Sequence, residues 1–225
     1  MKKFLLLLPL LAVSLAGCSL GPKKDSGDTT EPASQSEEVV DMRVYGVGDK
    51  KDEVLTVGFD IPAGEYWIKA ASDNYASGYS IYSPRGFNAE NEYENRLFYK
   101  SVFEGEFYLT VLKTGQFLKL DFATAQNAKV DQGITVVKNG MFKVGEHIQP
   151  VEGMVRVKVC AKADERVAIK PNFTVYTYNE KTSEFTYDPL DSKSHGVFES
   201  DDTQYHMIEN PPVGSYIELV GLQVG

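Results

Sequence analysis

The sequence is poor in the residues that build disulfide scaffolds and metal centres. Its 225 residues hold two Cys, at 18 and 160, and three His, at 147, 195 and 206. Two cysteines so far apart argue against a stapled fold and a Cys-based zinc site, and three His leave few ligands for a catalytic metal. No cofactor is expected. Basic residues are outnumbered 23 to 32, giving a net charge of −9. That balance repels phosphate backbones and argues against nucleic acid as a partner. No apolar run reaches the roughly 20 residues that span a bilayer. No window keeps a 3.6-residue apolar period over three turns, so long amphipathic helices are not expected. Catalytic signatures are also missing. There is no Gly-x-Ser-x-Gly elbow and no Ser-x-x-Lys, and Gly46-Val47-Gly48 lacks the rest of a nucleotide fingerprint. Ser194-His195 and Ser200-Asp201-Asp202 make a triad only on paper, as any Ser-rich loop would. The chain is not expected to be an enzyme.

What is present begins at the N-terminus. Met1-Lys2-Lys3 is a basic start, Phe4–Ala16 is an apolar run of secretory length, and Leu15-Ala16-Gly17-Cys18 closes it. This order resembles the lipobox of bacterial lipoproteins. The resemblance implies a signal peptide over 1–17 and a diacylglyceryl thioether, with palmitate-type acyl chains, on Cys18. It places the protein on the outer face of the cell membrane. Two or more acyl chains hold a protein on a membrane far better than one. Loss of Lys2 and Lys3 with the leader takes the net charge from −9 to −11. Ser19–Glu38 has only Leu20 and Ala33 as apolar residues and cannot offset the entropy of ordering. Residues 18–40 therefore read as a lipidated, disordered tether, whose flexible part spans roughly 25 Å r.m.s..

From Val39 the pattern becomes short alternating runs punctuated by Gly, Pro and Asn, at spacings typical of a sandwich or barrel. Expected strands include Glu65–Ala71, Tyr79–Ser83, Leu97–Phe103, Gln116–Phe122, Gly133–Lys138 and Met154–Ala161. The chain also repeats. Val57-Gly58-Phe59-Asp60-Ile61-Pro62-Ala63-Gly64-Glu65-Tyr66 is echoed by Val144-Gly145-Glu146-His147-Ile148, and Thr114-Gly115-Gln116-Phe117-Leu118 by Val213-Gly214-Ser215-Tyr216-Ile217. The offset grows from 87 (Gly58 to Gly145) to 99 (Gly115 to Gly214), which puts an insertion in the second copy near Asn179–Ser194. Pro62 and Gly64 are expected to form the turn of the motif.

The opening motif and the Gly-Gln-Phe-Leu ending resemble a repeat of exported Gram-positive lipoproteins that has no assigned chemistry. The resemblance implies a surface lipoprotein of small β domains. The expected fold is all-β: two small antiparallel β-sandwich domains, of jelly-roll form or similar, at 41–125 and 126–225. A single merged sandwich is the alternative.

For function, the most informative segment is Asp73–Tyr99, where aromatic rings interleave with Asn and Arg. Tyr82, Arg85, Phe87, Tyr93 and Arg96, on the long connection after the Tyr79 strand, are the expected ligand contacts. Rigid rings and guanidinium groups suit sugars and peptides. Tyr176–Asp188 repeats this composition. The acidic run at 199–202, with Asp188 and Asp191, lacks the spacing of a calcium loop and reads as a solvated face. Cys160, at the end of an alternating strand, reads as structural. The sequence therefore points to a non-enzymatic binding or adhesion module for a cell-wall or host glycan or a protein. The alternative is an envelope spacer or accessory subunit without a small-molecule ligand.

Overall fold

The structure is a computed structural model and describes residues 40–46, 53–71, 77–160, 170–199 and 201–225. The leader, Cys18, the tether up to Val39, Asp73, Asn74, Tyr75 and Ser200 lie outside the described residues. Among the described residues the chain is all-β. In the first half the strands are β1 (Val44–Tyr45), β2 (Glu53–Thr56), β3 (Gly64–Ala70), β4 (Ser77–Tyr82), β5 (Arg96–Val102), β6 (Phe107–Leu112), β7 (Phe117–Asp121) and β8 (Ala123–Asn127). In the second half they are β9 (Lys138–Lys143), β10 (Met154–Val159), β11 (Asn172–Asn179), β12 (Glu184–Thr186), β13 (His195–Val197), β14 (Tyr205–Glu209) and β15 (Tyr216–Val224). A four-stranded sheet runs β2-β7-β4-β5. A larger sheet runs β1-β8-β3-β6-β9-β15-β10-β14, with β11 joined to β15 and carrying β12 and β13. The pairs are antiparallel except β6 with β9, which is parallel.

The two sheets face each other through alternating side chains. Tyr66 and Ile68 of β3, Tyr108 of β6, Tyr79 and Ile81 of β4, and Leu118 and Leu120 of β7 are buried in one cluster. Each large apolar side chain so buried is worth about 1.5–3 kcal/mol. In β10 the same alternation leaves Val155 and Val157 inside and Met154 and Arg156 exposed. The expected strand over Gly133–Lys138 is mostly irregular backbone, and β9 begins at its end.

The repeat is real in three dimensions, and its turn differs from expectation. The tight element lies before Pro62. Gly58 N donates to Ile61 O at 2.7 Å, and Gly145 N to Ile148 O at 2.7 Å. Both glycines have positive φ, and a Cβ would meet Thr114 at 2.8 Å or Val213 at 2.7 Å. Gly115 N and Gly214 N tie the closing turn back to Val57 O and Val144 O, each at 2.9 Å. The topology repeats too: β7 lies between β2 and β4 as β15 lies between β9 and β11. Phe122, at φ 49°, and Gly221, at φ 65°, stand at equivalent places, where the chain leaves one pairing and enters the next.

The halves expected as separate domains at 41–125 and 126–225 are joined in the structure. Residues 39–225 form one compact unit. The β6–β9 pairing carries one sheet across both halves, and a single buried cluster draws on both. The expected boundary falls inside β8, whose Ala123 and Ala125 are buried between β1 and β3. Trp67 shows why. It sits on the β3 face opposite the Tyr66–Ile68 core, yet it is 2% exposed, because Phe142 and His147 of the second half close over it at ring distances of 5.9 and 4.9 Å.

Candidate functional site

The 83–95 connection between β4 and β5 is a built loop. Its backbone turns on itself through Gly86 N to Ser83 O at 3.0 Å, Asn91 N to Asn88 O at 3.2 Å and Glu94 N to Asn91 O at 3.0 Å. Asn and Glu side chains complete it, with Asn88 Nδ2 donating to Glu94 at 2.7 Å and Asn95 Nδ2 to Gly86 O at 3.3 Å. Asn95 takes a positive φ of 61°, which Asn tolerates better than most residues. The Asn content noted in the sequence is thus spent on holding the loop.

The five expected contact residues divide. Tyr82 is fully buried. Its face of β4 is opposite the core, and Phe87 covers it edge-on at 5.0 Å. Arg85 is exposed at the loop's start. Tyr93 is 78% exposed, and the Arg96 guanidinium lies 4.6 Å from its ring centre. The same guanidinium lies 5.0 Å from the ring of Tyr99, so Arg96 stands against two exposed rings. The register between β4 and β5 slips by one residue at Ile81/Tyr82, and such a bulge re-aims the side chains beside it. Without it, Arg96 and Tyr99, three apart on a strand, would face opposite ways. Tyr99 is therefore a neighbour of Arg96 that strand alternation conceals. Among the described residues Arg96 makes no ion pair, and two of its three acidic neighbours are used elsewhere: Glu94 by Asn88, and Glu92 by Lys119 at 2.9 Å.

Lys119 explains what the rest of the loop does. Its side chain, 3% exposed, sits on the outer face of β7, with Glu92 at 2.9 Å, Asp121 at 3.5 Å and the Phe87 ring at 5.6 Å. The equivalent residue of the second repeat is Glu218, on the same face of β15. There the covering group is the first repeat itself. Lys100 Nζ of β5 lies 2.6 Å from Glu218, and Phe98 packs on Tyr176 and Phe185 at 6.0 and 4.9 Å. Tyr82 corresponds to Tyr176, because each pairs with the first residue of the closing strand, Phe117 or Tyr216. The loop thus caps, in the first repeat, the face that the second repeat uses for docking. End units of repeat arrays require such caps. The aromatics of Tyr176–Asp188 go mainly to this joint: Tyr176 is buried and Phe185 contacts Phe98, Tyr178 and Tyr216, while Tyr187 stays partly exposed.

The other noted residues are engaged locally. His195 Nδ1 meets Thr174 Oγ1 at 3.1 Å, and Ser194 Oγ donates to Asp191 at 3.1 Å, so these two side chains are not bonded to each other. His206 pairs with Asp202 at 2.9 Å and stacks on Phe198 at 4.0 Å. His147 Nδ1 accepts from Lys143 N at 3.4 Å, in the place where Asp60 Oδ2 accepts from Thr56 N at 2.8 Å. Burial lowers the His147 pKa, which keeps an acceptor nitrogen available. Cys160 is a free, half-buried thiol whose pKa is raised by burial. Among the described residues no three His, Cys, Asp or Glu side chains converge on a common point.

No protein-family model matches the sequence, and a search of curated proteins finds no match.

Proposed function

We propose that the protein is a membrane-anchored extracytoplasmic lipoprotein, held through Cys18, whose two sandwich-like repeats present a non-enzymatic binding site for a glycan or protein. Tyr93, Arg96 and Tyr99 form that site, and Arg85 flanks it. The observation that carries the reading is Arg96, in a chain of net charge −9, facing two exposed rings and no carboxylate. Rings supply area at low entropy cost, and an unpaired guanidinium takes a carboxylate or phosphate. An anionic envelope or host polymer, or an acidic protein segment, fits this chemistry. A structural spacer is the second reading. The burial of Tyr82 and the tight joint at Lys100–Glu218 favour it.

The test is a glycan-array and pull-down comparison of the wild type with Tyr93→Ala and Arg96→Ala. Loss of a bound species in both variants supports the site. Equal binding in both, or no bound species at all, favours the spacer. Separately, Cys18→Ala should release the protein to the medium or leave it unprocessed; normal processing with full membrane retention would overturn the anchor.

A further inference from the structure

Among the described residues the larger sheet ends on an open edge strand, β14. In the first repeat, β6 has β3 on one side and β9 of the second repeat on the other. Its counterpart β14 pairs with β10, and among the described residues nothing pairs with its other edge. Asn210 N donates to Gly153 O of the β10 side. By strand alternation the backbone groups of His206 and Ile208 then point to β10, and those of Tyr205, Met207 and Glu209 point outward.

Edge strands are normally blunted by shortness, Lys, Pro or a bulge. β1 is two residues long, β2 opens on Glu53, and β5 carries Arg96 and Lys100 beside a bulge. β14 reads Tyr-His-Met-Ile-Glu, with no bulge against β10. Its exposed face is chemically organised. Tyr205 and Met207 are 43% and 49% exposed. Arg156 lies 3.5 Å over the Tyr205 ring and Lys158 5.6 Å from it, and neither pairs with a carboxylate among the described residues. A groove of about 320 Å³ beside Met207 is lined by Val151, Met154 and Val224.

We infer that β14 is an isologous dimer edge, pairing antiparallel with β14 of a second copy about a two-fold axis at Met207. The pattern is self-complementary. Pairing centred on Met207 sets Tyr205 against Glu209 in both directions. Each Glu209, whose ion pair within its own chain is the exposed, 3.9 Å contact with Lys193, then enters the neighbourhood of an unpaired Arg156 and Lys158, and each Tyr205 ring reaches the Met154–Met207 groove. All six outward N–H and C=O groups of Tyr205, Met207 and Glu209 find partners in each copy. Head-to-tail assembly through β2 fits less well. At the internal junction Gly140 is needed, because a Cβ there would lie 2.1 Å from Phe107 O, and β2 has Glu53 at the equivalent position. A two-fold contact also closes, where a head-to-tail one would grow into a filament.

The test uses the full chain with Cys160→Ala. Opposed residues of a hydrogen-bonded antiparallel pair have Cα atoms about 5.5 Å apart, within the range a disulfide bridges. Met207→Cys should give a covalent band of twice the monomer mass on a non-reducing gel, well above the background of the parent with Cys18 alone. Tyr205→Cys alone should not, and Tyr205→Cys with Glu209→Cys should. Met207→Pro, which removes only an outward N–H, should keep the circular dichroism spectrum while sedimentation shifts from dimer to monomer. A monomeric wild type by sedimentation, with no Met207→Cys cross-link above background, overturns the proposal. So does a cross-link to a species of another mass, or equal cross-linking from Tyr205→Cys alone.

Discussion

Lys100 Nζ and the Glu218 carboxylate lie 2.6 Å apart, with side-chain exposures of 21% and 7%, and they join the two repeats across the joint. Tyr176 OH donates to the same carboxylate at 3.0 Å, and Lys100 donates to Tyr176 Oη at 3.0 Å. The pair is asymmetric, because Lys100 can reach water and Glu218 cannot. Lys100→Met leaves a buried carboxylate and should cost about 3 kcal/mol, the low end for a broken buried pair. Glu218→Leu should cost less, since the ammonium turns to solvent. The double variant should recover most of the loss, because apolar replacement of a whole buried pair is often neutral. Denaturant unfolding of all four chains measures this cycle. Additive single effects would show that the two residues are not coupled.

The β6–β9 junction should tolerate no side chain at Gly140. Its φ is 130°, and a Cβ would lie 2.1 Å from Phe107 O. Gly140→Ala should therefore destabilise by on the order of 3 kcal/mol through forced backbone movement. Gly133 also has positive φ, 63°, but open space around it. Gly133→Ala should cost only about 1 kcal/mol of left-handed strain. Thermal unfolding of the two variants side by side separates close approach from backbone conformation.

Stability should carry an imprint of His147. Burial beside Trp67 lowers its pKa below the usual 6.5, against the opposing pull of Glu146 and Glu65. Between the folded value and 6.5 the unfolded chain binds a proton that the folded chain does not. Stability therefore rises with pH through that window and is lost as pH falls through it. The source of the loss is burial: beside Trp67 the folded ring stays neutral while the unfolded imidazole takes up a proton. His147→Asn keeps an acceptor and removes the titration, so its stability should be flatter over the same range. Chemical denaturation from pH 5 to 7.5 compares the two slopes. Identical slopes would exclude His147 as their source.

Local chemistry was legible in the sequence, and cross-repeat contacts were not. The repeat is legible in the spacing of its motifs, but Pro62 and Gly64 point to the wrong turn, and Gly58 and Gly145 close the tight element instead. The insertion is divided: at Tyr82 and Tyr176 the offset is already 94, so part of the added length precedes β11, and the rest follows it, where β12 pairs with β11. The face a ring ends on depends on what the other repeat covers. Tyr82 and Tyr93 look alike in sequence, but one lies under Phe87 and the other faces solvent. β8 was hidden because Phe122 breaks the strand pattern before it and Ala-Thr-Ala-Gln-Asn carries little apolar signal. It is a strand because β3 and β1 pair with it.

The 83–95 loop then supports a prediction that separates its two jobs. Phe87 and Glu92 hold the cap on Tyr82 and Lys119, and Tyr93 and Arg96 face outward. Phe87→Ala should unseat the cap and destabilise by about 2–3 kcal/mol, less than a fully buried Phe because the ring is half-exposed. Any binding it loses would follow from that. Tyr93→Ala removes an exposed ring that covers little, so its stability should stay within about 0.5 kcal/mol of wild type. Tyr93→Ala is therefore the variant that reports on recognition. If the platform binds an anionic ligand, Arg96→Lys should also weaken binding, because an ammonium keeps the charge but loses the planar fork between the rings. Full binding by Arg96→Lys together with loss in Arg96→Ala would show that charge alone is read. Isothermal titration against the species recovered by pull-down, with thermal melts of each variant, distinguishes these outcomes.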